Sequence, residues 1–306
     1  MKSKPRSKAA SSTRPTTIDA ALLRRWPLPE LAPELGKEAR GRVLVVGGSA
    51  QNPGGVLLAA VGALRAGAGK LQIATARDVA LAVAVALPEA RVIGLAQQKN
   101  GELAPESCRA VHAEMQSANA ILVGPGMMDG RAAVRLLTHC VGTRTRAPLV
   151  VDAAALAAFE GRAPLPDDHA AGVIATPHAG EMARLWGVPR DEVLGRAHEL
   201  TREAAARLRV VVALKGAETF VAAPDGRSFS NRAGNLGLGT SGSGDTLSGI
   251  IAGLCARGAE PLQATVWGIH LHALAGERLA RRVGPLGFLA RELLGEIPPL
   301  LAELGS

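Results

Sequence analysis

VLVVGGSAQNPGGVLLAAVGALRAGAGKLQIAT, residues 43–75, holds the pattern from which the fold is read. Val43–Val46 is a short run of branched apolar residues closed by Gly47-Gly48, which predicts a buried strand. Val56–Arg65 predicts a helix ended near Gly67, and Leu71–Thr75 returns to a strand. Strand, helix and strand in so short a span make a βαβ unit, whose two strands run parallel.

The same alternation continues outward. A helix is expected over Val79–Leu87, a strand over Arg91–Leu95, a helix over Glu106–Gln116 and a strand over Ala120–Val123. A helix over Arg131–Cys140 and strands over Leu149–Asp152 and Val173–Thr176 follow. Val210–Lys215 and Thr219–Ala223 are close enough to form a hairpin. The remainder is helical: Thr246–Cys255, Leu262 to about Arg281, and the amphipathic Phe288–Leu304. Near-continuous apolar strands between helices imply an α/β fold with a mostly parallel sheet covered on both faces. Neither a repeat nor a linker interrupts residues 42–306, which suggests a single domain.

Composition narrows the function. The chain of 306 residues is 47% hydrophobic, and no apolar run approaches the roughly 20 residues of a membrane span. Aromatics are 2% with no Tyr, which argues against base-stacking platforms. The net charge of +8 is concentrated at one end. Lys2, Lys4, Arg6, Lys8, Arg14, Arg24 and Arg25 face one acid, Asp19, whereas the other 281 residues carry 28 basic and 26 acidic side chains. Residues 1–17 therefore read as a basic disordered tail before a nearly neutral body at 18–306, with no nucleic-acid or membrane partner expected. Cys108, Cys140 and Cys255 are far apart and fit a reducing, cytoplasmic setting.

Glycine-rich stretches compete for a ligand. Gly237-Leu-Gly239-Thr-Ser-Gly242 has the GxGxxG form, but more helix follows it rather than a parallel strand, which excludes a dinucleotide fingerprint. Gly69-Lys70 lacks the first Gly and the Ser/Thr of a Walker A loop. Gly239–Gly249 (GTSGSGDTLSG) is different: small residues lead straight into a helix, whose first turn offers free N–H groups to phosphate. Asp245 in that turn is either a helix cap or a general base beside a transferring phosphoryl group. Lys215–Thr219 (KGAET) and Thr176–Glu181 (TPHAGE) follow other strands and belong on the same sheet edge. His178 alone reads as a locally satisfied loop histidine.

Taken together, Val43–Gly69, Ile121–Gly126 (ILVGPG), Thr176–Leu185 (TPHAGEMARL), Lys215–Thr219 and Gly234–Gly249 (GNLGLGTSGSGDTLSG) resemble the ADP/ATP-dependent NAD(P)H-hydrate dehydratases, of the ribokinase-like superfamily. The resemblance spans about residues 35–300. It implies a three-layer sandwich and a repair reaction: the ring hydroxyl of the S-epimer of hydrated NADH or NADPH is phosphorylated by ADP or ATP, and phosphate then leaves. By position, Asp245 would be the base, with Gly242–Gly244, Gly242 and Gly244 above all, offering N–H groups to the phosphate. Lys215, Gly216, Ala217, Glu218, Thr219 and Gly244 would lie against the nucleotide. Gly55, Gly126, His178, Asn235 and Asp245 would meet the hydrate. Glu181 would organise Mg²⁺ through water, the ion arriving with the nucleotide.

The resemblance also implies a cytoplasmic homo-oligomer working with a separate NAD(P)H-hydrate epimerase. Departures from the family pattern fall at Asn52 (commonly Tyr), Gly55 (Ala), Met127 and Met128 after GPG, Ala154 (Asp) and Ala179 (Pro). A kinase of the same superfamily acting on a hydroxymethylpyrimidine, thiazole or pyridoxal-type alcohol is the alternative, as is a non-catalytic nucleotide-binding module.

Overall fold

A computed structural model describes residues 14–30, 36–142, 146–161 and 172–305. Among the described residues ten strands form one sheet: β1 (Thr16–Thr17), β2 (Arg42–Val46), β3 (Lys70–Ala76), β4 (Ala90–Leu95), β5 (Ala120–Val123), β6 (Leu149–Val151), β7 (Val173–Ala175), β8 (Val211–Leu214), β9 (Thr219–Ala222) and β10 (Ser228–Asn231). Their spatial order is β1-β10-β9-β8-β7-β6-β5-β2-β3-β4. From β4 to β8 every pairing is parallel, while β9 runs antiparallel to both β8 and β10.

Alternation along the strands builds two cores. Val43 and Val45 of β2 face one side, with Val150, Ile174 and Ala213. That side is covered by the helices Gly54–Arg65, Ser243–Ala256, Pro261–Arg282 and Ala290–Leu304. Leu44 and Val46 face the other, with Val123, Val151 and Val212, under the helices Gly130–Gly142, Ala179–Trp186 and Ala197–Leu208. The layers are therefore helix, sheet and helix.

Two helices cross with almost no side chain between them. A Cβ placed on Gly249 would fall 2.0 Å from the Ala59 carbonyl oxygen, and one on Gly253 2.4 Å from that of Ala63. Gly62 faces the Thr246 carbonyl in the same seam. The helices Gly54–Arg65 and Ser243–Ala256 are thus locked backbone to backbone, and the glycine loops that precede them are held side by side.

The sheet edge differs from the sequence expectation. Thr16 and Thr17, placed in the tail on composition, form β1 and pair with Phe229 and Ser230. Residues 1–13, the rest of that tail, lie outside the described residues. The expected helix 106–116 is a 3-10 segment, Pro105–Val111, followed by one short helix, His112–Ser117. Among the described residues, no helix is long and apolar enough to cross a membrane.

Candidate active site

Because β2, β5, β6, β7 and β8 are parallel, their carboxyl ends meet on one edge, where open α/β sheets bind ligands. The loops arriving there are Gly47-Gly48, Gly124–Gly126, Asp152, Thr176–His178 and Lys215. The first two interlock: the Gly48 N–H donates to the Pro125 carbonyl (2.7 Å), and a Cβ on Gly126, at φ +69°, would lie 2.5 Å from the Asn52 carbonyl oxygen.

Asp245 is the third residue of the Ser243–Ala256 helix. Burial raises its carboxyl to about 6; the charges of Asp152 and Glu181 add to this, opposed by Lys215 and by an N–H donated from Gly126. A carboxylate so placed is half-tuned to neutral pH and points at the loop of the opposite glycine-rich segment. No side-chain cap bond closes this helix, so Asp245 is not its cap.

Beneath the same turn lies a buried ion pair. Asp152 Oδ1 accepts from Lys215 Nζ (3.1 Å) and from Thr176 Oγ1 (2.8 Å). Burial opposes the charge on Lys215, yet Asp152 and Glu181 outweigh it, and its pKa is raised. A Cβ on Gly244 would sit 3.2 Å from Lys215 Nζ, so the ammonium lies directly against the first turn. Glycine at 244 leaves room for that charge. Asp152 was not singled out by the sequence, because its partners lie 24 and 63 residues away.

The first turn also holds unpaired donors. Thr246 N–H begins the helical ladder at Gly242, and Ser243 N–H is taken by the Thr240 carbonyl, leaving Gly244 and Asp245 N–H without a carbonyl four residues back. Of the expected Gly242–Gly244 donors, Ser243 N–H is therefore spent inside the loop. Gly242 itself, at φ +85°, packs where a Cβ would lie 2.3 Å from Leu58 Cδ1.

A cleft of about 590 Å³ opens beside this turn, lined by Lys215, Gly216, Ala217, Thr219, Asn235 and Gly244 among others. These are residues expected to meet a nucleotide or the hydrate, now in one cavity. Glu218 does not line it; its carboxylate pairs with Arg232 (3.0 Å) and borders a neighbouring cavity. Asn235 accepts from Gly237 N–H (2.8 Å) through Oδ1, while its Nδ2 is buried without a partner. Ser243, His272 and Arg190 also line the cleft, and the sequence reading missed all three.

The other expected hydrate contacts, Gly55, Gly126, His178 and Asp245, are not among the residues lining this cleft. Gly55 is buried against the Gly126 backbone, where a Cβ would lie 2.5 Å from the amide nitrogen. His178 caps the Ala179–Trp186 helix: its Nδ1 accepts from Gly180 N–H (3.0 Å) and Glu181 N–H (3.2 Å). Glu181 Oε2 in return accepts from His178 N–H (2.8 Å), a reciprocal capping box. Burial keeps the His178 ring below its usual pKa. The local reading of His178 is thus satisfied, and Nε2 remains 3.6 Å from Glu181 Oε1.

Among the described residues no group of three His, Cys, Asp or Glu side chains could hold a metal ion. Asp152, which turns Oδ2 towards Gly244, and Glu181 are acids that stand near Asp245 at this edge. Such hard oxygens suit Mg²⁺ that keeps its waters and is carried on phosphates.

Comparison with known proteins agrees with this geometry. A model of the NAD(P)H-hydrate dehydratase family matches residues 43–299. An ADP-dependent (S)-NAD(P)H-hydrate dehydratase of Xanthomonas campestris pv. campestris is 48% identical over 288 residues, 94% of this chain and 96% of that protein. A bifunctional NAD(P)H-hydrate repair enzyme of Moorella thermoacetica is 37% identical over 92% of this chain, which spans about half (53%) of that longer protein. Among solved structures, an ADP/ATP-dependent NAD(P)H-hydrate dehydratase from Bacillus subtilis, co-crystallized with ATP/Mg²⁺, superposes with a TM-score of 0.83 at 31% identity, covering 96% of this chain and 100% of that one.

Proposed function

The chain belongs to the NAD(P)H-hydrate dehydratase family, and from that premise we propose how its residues perform the reaction. It is an ADP-dependent (S)-NAD(P)H-hydrate dehydratase, a lyase that uses Mg²⁺ with the nucleotide. The observation that carries the residue assignment is Asp245, raised to about 6 in the first turn of a helix whose Gly244 and Asp245 N–H groups have no backbone acceptor.

Hydroxide is a poor leaving group, so the hydrate's ring hydroxyl must first be converted. Asp245 takes the hydroxyl proton as the ring oxygen bonds to the terminal phosphorus of ADP. The bridging P–O bond breaks and AMP departs. The ring-nitrogen lone pair then expels phosphate, and the neighbouring C–H proton passes to the departing phosphate, which restores the double bond. Gly244 and Asp245 N–H, with Lys215 against the same turn, stabilise charge on the phosphoryl oxygens. Bound Mg²⁺ supplies neutralisation of phosphate charge, and Asp152 and Glu181 are placed to hold its waters. Lys215–Ala217 and Thr219 form the nucleotide wall, and Gly126 orients the base.

The reading of residues 18–306 as one domain behind a basic tail at 1–17 is carried over with its boundary moved to Thr16, where β1 is seated in the sheet. The family reading also makes the enzyme a cytoplasmic homo-oligomer that relies on a separate epimerase, in keeping with relatives whose longer chains are bifunctional. An absorbance assay tests the central claim. Enzymatically hydrated NADH, Mg²⁺ and ADP should regain reduced-nicotinamide absorbance with stoichiometric phosphate release. No absorbance recovery, with a supplied hydroxymethylpyrimidine, thiazole or pyridoxal-type alcohol converted to a stable phosphate ester, would assign the chain to the vitamin-precursor kinases instead.

A further inference from the structure

The cleft contains a side-chain pair that the mechanism above does not use. Ser243 opens the Ser243–Ala256 helix and His272 lies on Pro261–Arg282, 29 residues later. His272 Nε2 is 3.0 Å from Ser243 Oγ. Both are largely buried, at 8% and 6% exposure, and both line the nucleotide cleft beside Gly244 and Lys215. Ser243 has no other use for its hydroxyl in the helix: the bond that Thr246 Oγ1 makes goes to the Ser243 backbone carbonyl.

We propose that the Ser243 hydroxyl is a ligand of the nucleotide's terminal phosphate and that His272 is the positioning residue that aims it. The choice follows from donor counting. A hydroxyl has one hydrogen and can both donate and accept. If His272 Nε2–H donates to Ser243 Oγ, the hydroxyl hydrogen is released toward the cleft, and the first turn gains a side-chain donor beside Gly244 and Asp245 N–H. The opposite arrangement would turn oxygen lone pairs on an anion. Burial and the Lys215 charge hold the His272 ring neutral, its pKa pushed down to about 4 despite an opposing hydrogen bond with the Ser243 backbone. The neutral ring therefore places no second cation beside Lys215, and it is the Nε2–H tautomer, which the proposal requires, that gives the hydrogen bond its sense.

The inference rests on the reading of this cleft as the nucleotide site, so binding and turnover are measured separately. Isothermal calorimetry with Mg²⁺·ADP and with adenosine would be run on the full chain and on Ser243→Ala, His272→Leu, His272→Gln and the double variant Ser243→Ala/His272→Leu. Steady-state kcat and KM for ADP and the melting temperature accompany them. A hydrogen bond to a charged group predicts roughly tenfold or greater weakening of ADP in Ser243→Ala. Adenosine affinity should be unchanged. His272→Leu should show the same loss, His272→Gln should recover most of it, and the double variant should be no weaker than Ser243→Ala.

Ser243→Ala binding ADP like the parent would overturn the proposal. So would losses that multiply in the double variant, since His272 would then act through packing alone. A parent chain that binds ADP but restores no NADH would defeat the dehydratase mechanism while the binding series still decides the role of Ser243. A parent that binds no ADP defeats both.

Discussion

Asp245 sits between opposing influences: burial and two neighbouring carboxylates favour its protonated form, and Lys215 and the Gly126 N–H favour the ion. The result, about 6, leaves it a base at neutral pH that is strong enough to accept a hydroxyl proton as the transition state forms. The pH profile of kcat/KM should accordingly fall on the acid side with a midpoint near 6; a flat profile down to pH 5 would remove Asp245 from the role. Asp245→Ala should lower kcat by roughly 10²–10⁴ while ADP still binds, read by single-turnover kinetics and calorimetry.

The same raised pKa costs stability. The folded state binds the Asp245 proton more tightly than the unfolded chain, whose carboxyl titrates near 3.8, so stability falls as pH rises from about 4 to about 6. Asp245→Asn removes the charge and should be more stable than the parent at pH 7.5 by roughly 1–3 kcal/mol. That gain should shrink as the urea titration is repeated towards pH 4. At this scale, Asp245 and Lys215 were legible because each stands in a local motif. The Asp152–Lys215 and Ser243–His272 pairs were not, since tertiary folding alone brings their members together.

Among elements, the parallel strands were readable because β2, β5, β6 and β8 are short runs of branched apolar residues, buried on both faces. The sheet's other end was hidden: β10 is Ser-Phe-Ser-Asn and β1 is Thr-Thr, without an apolar run. The charged helices Arg190–Gly195 and Ala197–Leu208 were also missed. Yet Leu200, Ala204, Ala205 and Leu208 recur at helical spacing and face the core, a pattern diluted by polar neighbours. The GTSGSGDTLSG motif was read for its ligand chemistry, but Gly249 in it serves packing. Gly249→Ala would force the Gly54–Arg65 helix away from its partner, because the added methyl meets the Ala59 carbonyl. Overpacking of this kind costs about 1–3 kcal/mol. Chemical unfolding should show that loss, and kcat should fall with it because the two glycine loops no longer share one frame.

At the level of the whole molecule, residues 16–27 are part of the sheet and its helical cover. Trp267 Nε1–H donates to the Trp26 carbonyl (2.9 Å), Gln263 Nε2–H to that of Pro27 (2.8 Å), and Trp26 stacks on Phe229 at 5.9 Å. Leu23 is fully buried and Ile18 nearly so. Deleting residues 1–13 should leave melting temperature and turnover near those of the full chain. Deleting residues 1–30 should lower the melting temperature by several degrees and expose the β10 edge, with light scattering reporting self-association.

That clasp between Trp26 and Trp267 has a consequence for the order of events on the ribosome. Its donor and acceptor are separated by 241 residues. At roughly 5–20 residues per second, the opening segment waits about ten to fifty seconds before its docking surface has been synthesised. Trp26 and β1, though made well before the helix that carries Trp267, are therefore among the last of these elements to reach their native place, and until then a tryptophan and an unpaired strand edge are left for chaperones to shield.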